Sequence, residues 1–143
     1  MVFGNGSDPD SLNPARLSAA KAAIEKLNSE YPKLARCQLG KVRRSYAARD
    51  SVDADELVSE LRWFAHDQCG QGATFNYPLI SEIAQSFRNY LKRSGSLVDM
   101  QPVVIETYFD AMDETFDKAL CGEFGWEGAL ILARLTDLST ARE

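Results

Sequence analysis

Histidine, cysteine and long apolar runs are scarce in this chain, and each scarcity narrows what the protein can do. There is one histidine in 143 residues, so any chemistry that needs an imidazole must use His66. The three cysteines, Cys37, Cys69 and Cys121, are odd in number and widely spaced, which argues against a disulfide framework and favours free thiols in a reducing compartment. No apolar run approaches the roughly 18 to 20 residues of a membrane helix, and the N-terminus lacks a signal-peptide pattern. We therefore expect a cytoplasmic protein.

Composition and charge indicate one ordinary globular domain. Hydrophobic residues make up 45% of the chain and charged residues 26%, which is enough apolar material for a single core. A net charge of -5 gives no electrostatic reason to expect binding to nucleic acid or to an anionic membrane. The expected partner is therefore another protein.

Prolines, glycines and apolar periodicity predict an all-α fold of five or six helices, because no segment shows the two-residue alternation of a strand. Residues 1–13, rich in small and polar side chains, are predicted to be a mobile tail, and residues 14–143 a single helical domain. The predicted helices cover about 14–28, 32–48, 53 to beyond His66, 78–94, 99–120 and 126–138, with every proline outside a helix interior.

Local signals support several of these boundaries. Asp53 followed by Glu56 is a capping-box-like start, Asp99 is a candidate N-cap, and Gly95 is a candidate stop. The predicted apolar stripes are Leu17, Ala20, Ile24 and Leu27 in the first helix; Ile80, Ile83, Ala84, Phe87 and Leu91 in 78–94; Ile105, Phe109, Met112 and Phe116 in 99–120; and Trp126, Leu130 and Ala133 in the last.

Short connections between the last four helices favour antiparallel neighbours. We therefore expect residues from about 51 to 143 to form an antiparallel up-down four-helix bundle, with one or two additional N-terminal helices packed across it. The chain is expected to be a monomer, with a dimer-forming bundle as the alternative.

His66 lies on the polar side of its predicted helix. At about 100° per residue, it falls about 140° from Leu61, the centre of the apolar stripe. Gly70 follows one turn later, where glycine costs a helix interior about 1 kcal/mol relative to alanine. Without a side chain there, a phosphoryl group or another backbone can approach the imidazole, and Gly72 and Ala73 extend the small surface. The alternative is an ordinary surface histidine followed by a fraying helix end.

The segment from His66 to Tyr77 resembles the signature of histidine-containing phosphotransfer (HPt) domains, H-x-L-K-G-S-A-x-x-F-G. The matching positions are His66, Gly70, the small residues Gly72 or Ala73, Thr74 and Phe75. The apolar pattern of the next helix is also similar, so the resemblance extends over residues 57–91. It implies a helical bundle that carries a phosphoryl group on His66.

Several positions depart from the family pattern. Gln68 stands in place of the usual leucine, Cys69 in place of the lysine, and Asn76 in place of a glycine. Asparagine also adopts turn conformations, so the last change is mild. The missing lysine means that other groups must balance the charge of a phosphohistidine.

Cations elsewhere are candidates for that task. Arg62 lies one turn before the histidine, while Arg88 and Lys92 share a polar flank of the next helix with Gln85. The alternative is that each is a solvated surface residue. Trp63 could anchor a partner, although packing against the N-terminal helices is the interpretation that we favour.

The family resemblance implies a phosphoryl carrier in two-component signalling rather than an enzyme. A response-regulator receiver domain would present an aspartyl phosphate to His66, which would then pass the phosphoryl group to another receiver. A hybrid sensor histidine kinase would act upstream. Since phosphoryl transfer depends on positioning and charge neutralisation, the receiver can supply Mg²⁺ and the catalytic groups, and the carrier would need no cofactor of its own.

Two other functions stay open from the sequence. One is a helical interaction module that binds a kinase or receiver without accepting phosphate. The other is a zinc site in which His66 and Cys69 share one helical face and Cys37 and Cys121 complete the ligand set.

A basic segment precedes the helix that carries His66. It consists of Lys33, Arg36, Lys41, Arg43, Arg44 and Arg49, with no acidic residue between Tyr31 and Arg49. Such a segment could steer an acidic receiver, although a solvated helix face is the favoured interpretation.

Overall fold

The computed structural model describes residues 13–140, with side chains described as far as Leu138. It contains α1 (Pro14–Ala47), α2 (Ala54–Thr74), α3 (Pro78–Ser94), α4 (Pro102–Asp117) and α5 (Gly125–Thr140). Residues 13–140 include no strand, which confirms the all-α prediction for this part of the chain. None of the helices in this range is long and apolar enough to cross a membrane. The predicted mobile tail lies outside the described residues except for Asn13, whose side chain caps α1.

The first helix is continuous, and the prediction of two helices was wrong. Pro32 lies inside α1, which has 34 residues, and Gly40 does not interrupt it. Proline cannot donate to the carbonyl of Asn28, but Asn28 is only partly buried, so water can satisfy that oxygen. Burial of apolar side chains along the second half of α1 then outweighs the low helix propensity of proline and glycine. The buried residues are Tyr31, Ala35, Leu39, Val42 and Tyr46.

The first half of α1 does not contribute to the core. Between residues 14 and 30 no side chain is buried. Leu17, Ile24 and Leu27 are 55%, 58% and 52% exposed. The predicted apolar stripe of the first helix therefore exists but faces solvent.

The boundaries of α2 and α3 agree with the local signals. The Asp53 carboxylate accepts a hydrogen bond from the backbone N–H of Glu56 at 2.9 Å, and α3 ends at Gly95, which has a φ of 78°. Gly72 is buried between the two helices, where an added Cβ would lie 2.8 Å from the backbone nitrogen of Ser81. The expectation that Gly72 extends the exposed surface was wrong, because its small size allows α3 to approach α2.

The start of α4 also differs from the prediction. Asp99 does not cap this helix but lies in a short 3-10 turn over residues 97–99, where its carboxylate accepts from the Ser96 hydroxyl at 2.9 Å. The helix begins later, at Pro102, and ends at Asp117. Its predicted apolar residues, Ile105, Phe109, Met112 and Phe116, are all buried.

The last helix packs through a different face from the predicted one. Trp126 is 73% and Leu130 54% exposed, and Ala133 is also exposed. Ile131 and Leu135 are buried instead. The sequence of α5 carries apolar residues on two adjoining stripes, and its contacts with α3 and α4 determine which of them is covered.

The helices form a connected core. The most extensive contact joins α2 to α3; α3 also contacts α4 and α5, α4 contacts α5, and α1 contacts both α2 and α4. Phe87 of α3 stacks on Tyr108 of α4 with 4.9 Å between ring centroids. This arrangement is compatible with a four-helix bundle and one additional helix.

Two residues of the basic segment connect α1 to α4. The guanidinium of Arg43 pairs with Asp110 and Asp113 at 2.8 and 3.1 Å, and Arg36 pairs with Asp117. Arg36 and Arg43 therefore contribute to helix packing, which neither interpretation of the basic segment predicted.

Candidate functional site

His66 lies on the exposed side of α2, as its helical position predicted. The adjacent Ala65 and the stripe centre Leu61 are fully buried. Trp63 lies edge-on to the imidazole with 5.9 Å between ring centroids. It is 66% exposed, so the favoured interpretation, packing against the N-terminal helices, was wrong: the buried side of α2 meets α1 and Trp63 is on the other side.

An open groove of about 590 Å³ runs beside His66 between α2 and α3. We call it the His66 groove; its lining residues are Arg62, Trp63 and His66 from α2 and Gln85, Arg88, Asn89 and Lys92 from α3. Three of these side chains are cations, and none of the carboxylates of residues 13–138 lines the groove. The surface around the only histidine is thus suited to a negatively charged group.

The His66 groove brings together six of the eight site residues predicted from the sequence; Cys69 and Gly70 do not line it. Asn89 was missed. It accepts a hydrogen bond from the Gln85 amide at 3.2 Å, and its position one turn after Gln85 on the same polar flank was the signal that could have identified it.

Gln85 links Cys69 to Arg88. The thiol of Cys69 and a guanidinium nitrogen of Arg88 each donate to the Gln85 side-chain oxygen, at 3.4 Å in both cases. A half-buried thiol on α2 is therefore connected through one amide to a cation on the neighbouring helix.

The other two cations of the groove differ in their contacts. Arg62 donates to the backbone carbonyl of Gly95 at 3.3 Å and so ties α2 to the end of α3. Lys92 is exposed, and within residues 13–138 it has no ion-pair partner. Arg62 thus has a packing role, whereas Lys92 is held by no carboxylate in this part of the chain.

Gly70 has open space around it. A Cβ added there would meet nothing within 4 Å. The helix continues to Thr74, whose hydroxyl donates to the Gly70 carbonyl at 3.0 Å, so Gly70 does not mark a frayed end. Nothing in the packing of residues 13–138 requires glycine at this position, in contrast to Gly72.

Gln68, which differs from the leucine of the HPt signature that this segment resembles, is buried. Its side-chain oxygen accepts from the Tyr31 hydroxyl at 2.6 Å, and its amide donates to Gln38 at 2.9 Å. Burial raises the pKa of Tyr31, and the charge of Tyr77 raises it further. The polar replacement is therefore accommodated by hydrogen bonds from α1.

The turn after α2 retains a glycine-like conformation without glycine. Asn76 has a φ of 69°, in the left-handed region, and its carbonyl accepts from the backbone N–H of Gly122 at 2.9 Å. Phe75, which matches the family's phenylalanine, stacks on Tyr31 at 5.3 Å between centroids.

The zinc alternative gains no support from this geometry. Among the described side chains, no three His, Cys, Asp or Glu residues converge in a way that could hold a metal ion. Cys37 and Cys121 are both exposed, and neither joins Cys69 beside His66.

Comparison of the chain with protein-family models, with curated proteins and with solved structures finds no match.

Proposed function

We propose that this protein is a phosphorelay intermediate that reversibly carries a phosphoryl group on His66. The observation that carries this proposal is the exposure of the only imidazole at the edge of a groove lined by three cations and by no described carboxylate. A response-regulator receiver domain donates the phosphoryl group and a second receiver accepts it, with a hybrid sensor histidine kinase upstream.

The transfer exchanges one bond to phosphorus for another. The unprotonated ring nitrogen of His66 supplies the lone pair that forms the N–P bond. The P–O bond to the receiver aspartate breaks, and the aspartate leaves as a carboxylate. An exposed imidazole ring nitrogen is a competent nucleophile when its lone pair is free. Mg²⁺ and the groups that polarise the phosphoryl oxygens come from the receiver.

Arg88 and Lys92 balance the charge that the phosphoryl group brings. Charge-assisted hydrogen bonds from cations to phosphate oxygens are about twice as strong as neutral ones. Both side chains line the His66 groove from α3. We propose that they perform the task of the family's lysine on α2, with Gln85 holding Arg88 in position.

We also propose an antiparallel up-down four-helix bundle, but with a different fourth helix from the one that residues 51–143 were expected to supply. The helix contacts close a circuit from α1 to α2, α3, α4 and back to α1, while α5 contacts α3 and α4. These contacts favour the second half of α1, rather than α5, as the fourth member of the bundle.

A second candidate function is a docking module that binds a receiver or kinase without accepting phosphate. Cys69 favours it, because a thiol stands where the family places a lysine one turn after the histidine. The two functions differ in whether His66 becomes labelled.

Transfer from a labelled receiver tests the proposal. The protein is mixed with a receiver carrying radioactive aspartyl phosphate and Mg²⁺, and the label is followed in the wild type, in His66→Gln and in the control Asp67→Asn. Acid-labile label on the wild type and the control, but not on His66→Gln, supports the carrier. Equal labelling of His66→Gln contradicts it, and tight binding of unlabelled wild type favours the docking module.

A further inference from the structure

The exposed first half of α1 has the spacing of a coiled-coil seam. Leu17, Ala20, Ile24 and Leu27 follow one another at intervals of three, four and three residues, which are the a and d positions of a heptad. The three large side chains are more than half exposed. Tyr31, the next position of the repeat, is buried in the core of its own chain, so the seam ends at Leu27.

We propose that this seam is the interface of an antiparallel coiled-coil dimer whose second strand is another copy of the chain. A seam that consists only of a and d positions is narrow, so it fits a single partner helix rather than a sheet or a broad groove. Isolated helices of about this length are marginal in water, so a partner helix would also stabilise residues 14–30. The inference is independent of the phosphoryl chemistry of His66 and replaces the monomer expected from sequence.

A twofold axis that crosses the seam midway between Ala20 and Ile24 makes the seam self-complementary. In that register Leu17 packs against Leu27 of the second copy, and Ala20 against Ile24 of the second copy, so that a small side chain opposes a large one. Only residues 14–30 of each chain are used. The two helical cores, which begin at Tyr31, then lie at opposite ends of the coiled coil.

The flanking charges favour antiparallel over parallel pairing. The antiparallel register places Arg16 beside Glu30 of the second copy at both ends, since both are g positions. Parallel pairing instead places Arg16 beside Lys21 of the second copy, which is a repulsion between like charges. In the antiparallel register the two Lys21 side chains approach the axis, but Glu25 lies one turn from each on its own helix and offsets them.

Sedimentation of the full chain over a dilution series tests the interface. Ile24→Glu places a charge in the seam, whereas Ala22→Glu places the same charge on the exposed opposite face of the helix. We expect a wild-type dimer, a rise of about 100-fold or more in the dissociation constant for Ile24→Glu, and a change within about threefold for Ala22→Glu. A monomeric wild type at all concentrations overturns the proposal, as does a dimer that survives Ile24→Glu.

Both variants change exposed positions outside the lining of the His66 groove, so His66 labelling should match the wild type. Labelling therefore separates a failure of dimerisation from a failure of the carrier proposal. The orientation is tested by oxidising Ala23→Cys, because the antiparallel register brings Ala23 beside Ala23 of the second copy. A disulfide-linked dimer well above the levels of wild type and of Ala22→Cys supports the register, whereas equal cross-linking of Ala22→Cys contradicts it.

Discussion

The hydroxyl of Tyr31 on α1 donates to the side-chain oxygen of Gln68 on α2, with 2.6 Å between the two oxygens. Tyr31 is 3% and Gln68 1% exposed. Gln68 lies two residues after His66, so a buried hydrogen bond fastens α1 to the helix that carries the proposed phosphoacceptor.

Removing either partner of this bond should destabilise the protein more than removing both. Gln68→Leu leaves the Tyr31 hydroxyl buried without its acceptor, and Tyr31→Phe leaves the Gln68 oxygen without its donor. Each loss is expected to lower the free energy of unfolding by about 1 to 3 kcal/mol. The double variant should recover part of the loss in a urea-denaturation double-mutant cycle. Strictly additive losses would contradict the coupling.

Tyr31 should also make the stability of the folded protein decrease at alkaline pH. Burial raises its pKa above the ordinary value of 10.0, so the folded state keeps the phenol proton where the unfolded state releases it. The stability linked to this proton is complete below about pH 10 and decreases as the pH rises further. Urea midpoints between pH 8 and 11, at about half-unit steps, should fall more steeply for the wild type than for Tyr31→Phe. Parallel curves would show that Tyr31 does not contribute.

Gly70 and Gly72 should respond oppositely to alanine. Gly70→Ala meets open space and gains helix propensity, so it should raise the free energy of unfolding by up to about 1 kcal/mol. Gly72→Ala forces its Cβ against the backbone of α3 and should lower that free energy by about 1 to 3 kcal/mol. Thermal or urea unfolding distinguishes the two. Destabilisation by Gly70→Ala would mean that Gly70 has a packing role in the fold.

Arg88 should be needed for transfer, and a lysine at position 69 should compensate for its loss. Arg88→Ala is expected to slow labelling of His66 by about tenfold or more, since a charge-assisted hydrogen bond contributes about 1.5 to 3 kcal/mol. Adding Cys69→Lys places a cation where the family has one and should restore much of the rate. Arg93→Ala is the matched control, because Arg93 is exposed on α3 outside the groove lining.

Time courses of transfer from a labelled receiver measure this prediction. If Arg93→Ala slowed the labelling of His66 as much as Arg88→Ala does, the overall charge of the protein, rather than the position of Arg88, would determine the rate. If the variant that combines Arg88→Ala with Cys69→Lys did not recover the rate of labelling, the cation would have to lie on α3.

The local parts of the fold were predictable because they depend on neighbouring residues. Asp53 caps α2 through its own first turn, and Gly95 ends α3 in a conformation that glycine adopts readily. His66 was correctly placed on the exposed face, since the helical period alone determines its angle from Leu61. Predictions failed where tertiary contacts decided the outcome. Burial along the second half of α1 outweighs the helix-breaking tendency of Pro32, and the contacts of α5 with α3 and α4 leave Trp126 exposed.

Composition and periodicity were sufficient to establish the helical class and to identify His66 as the only imidazole, because neither depends on distant contacts. The surroundings of that imidazole depend instead on how the helices pack. The Cys69–Gln85–Arg88 contacts and the groove exist because α3 packs against α2, with Gly72 allowing the approach. Pairing of two helices depends on the shape of both surfaces, and no spacing within either helix specifies it.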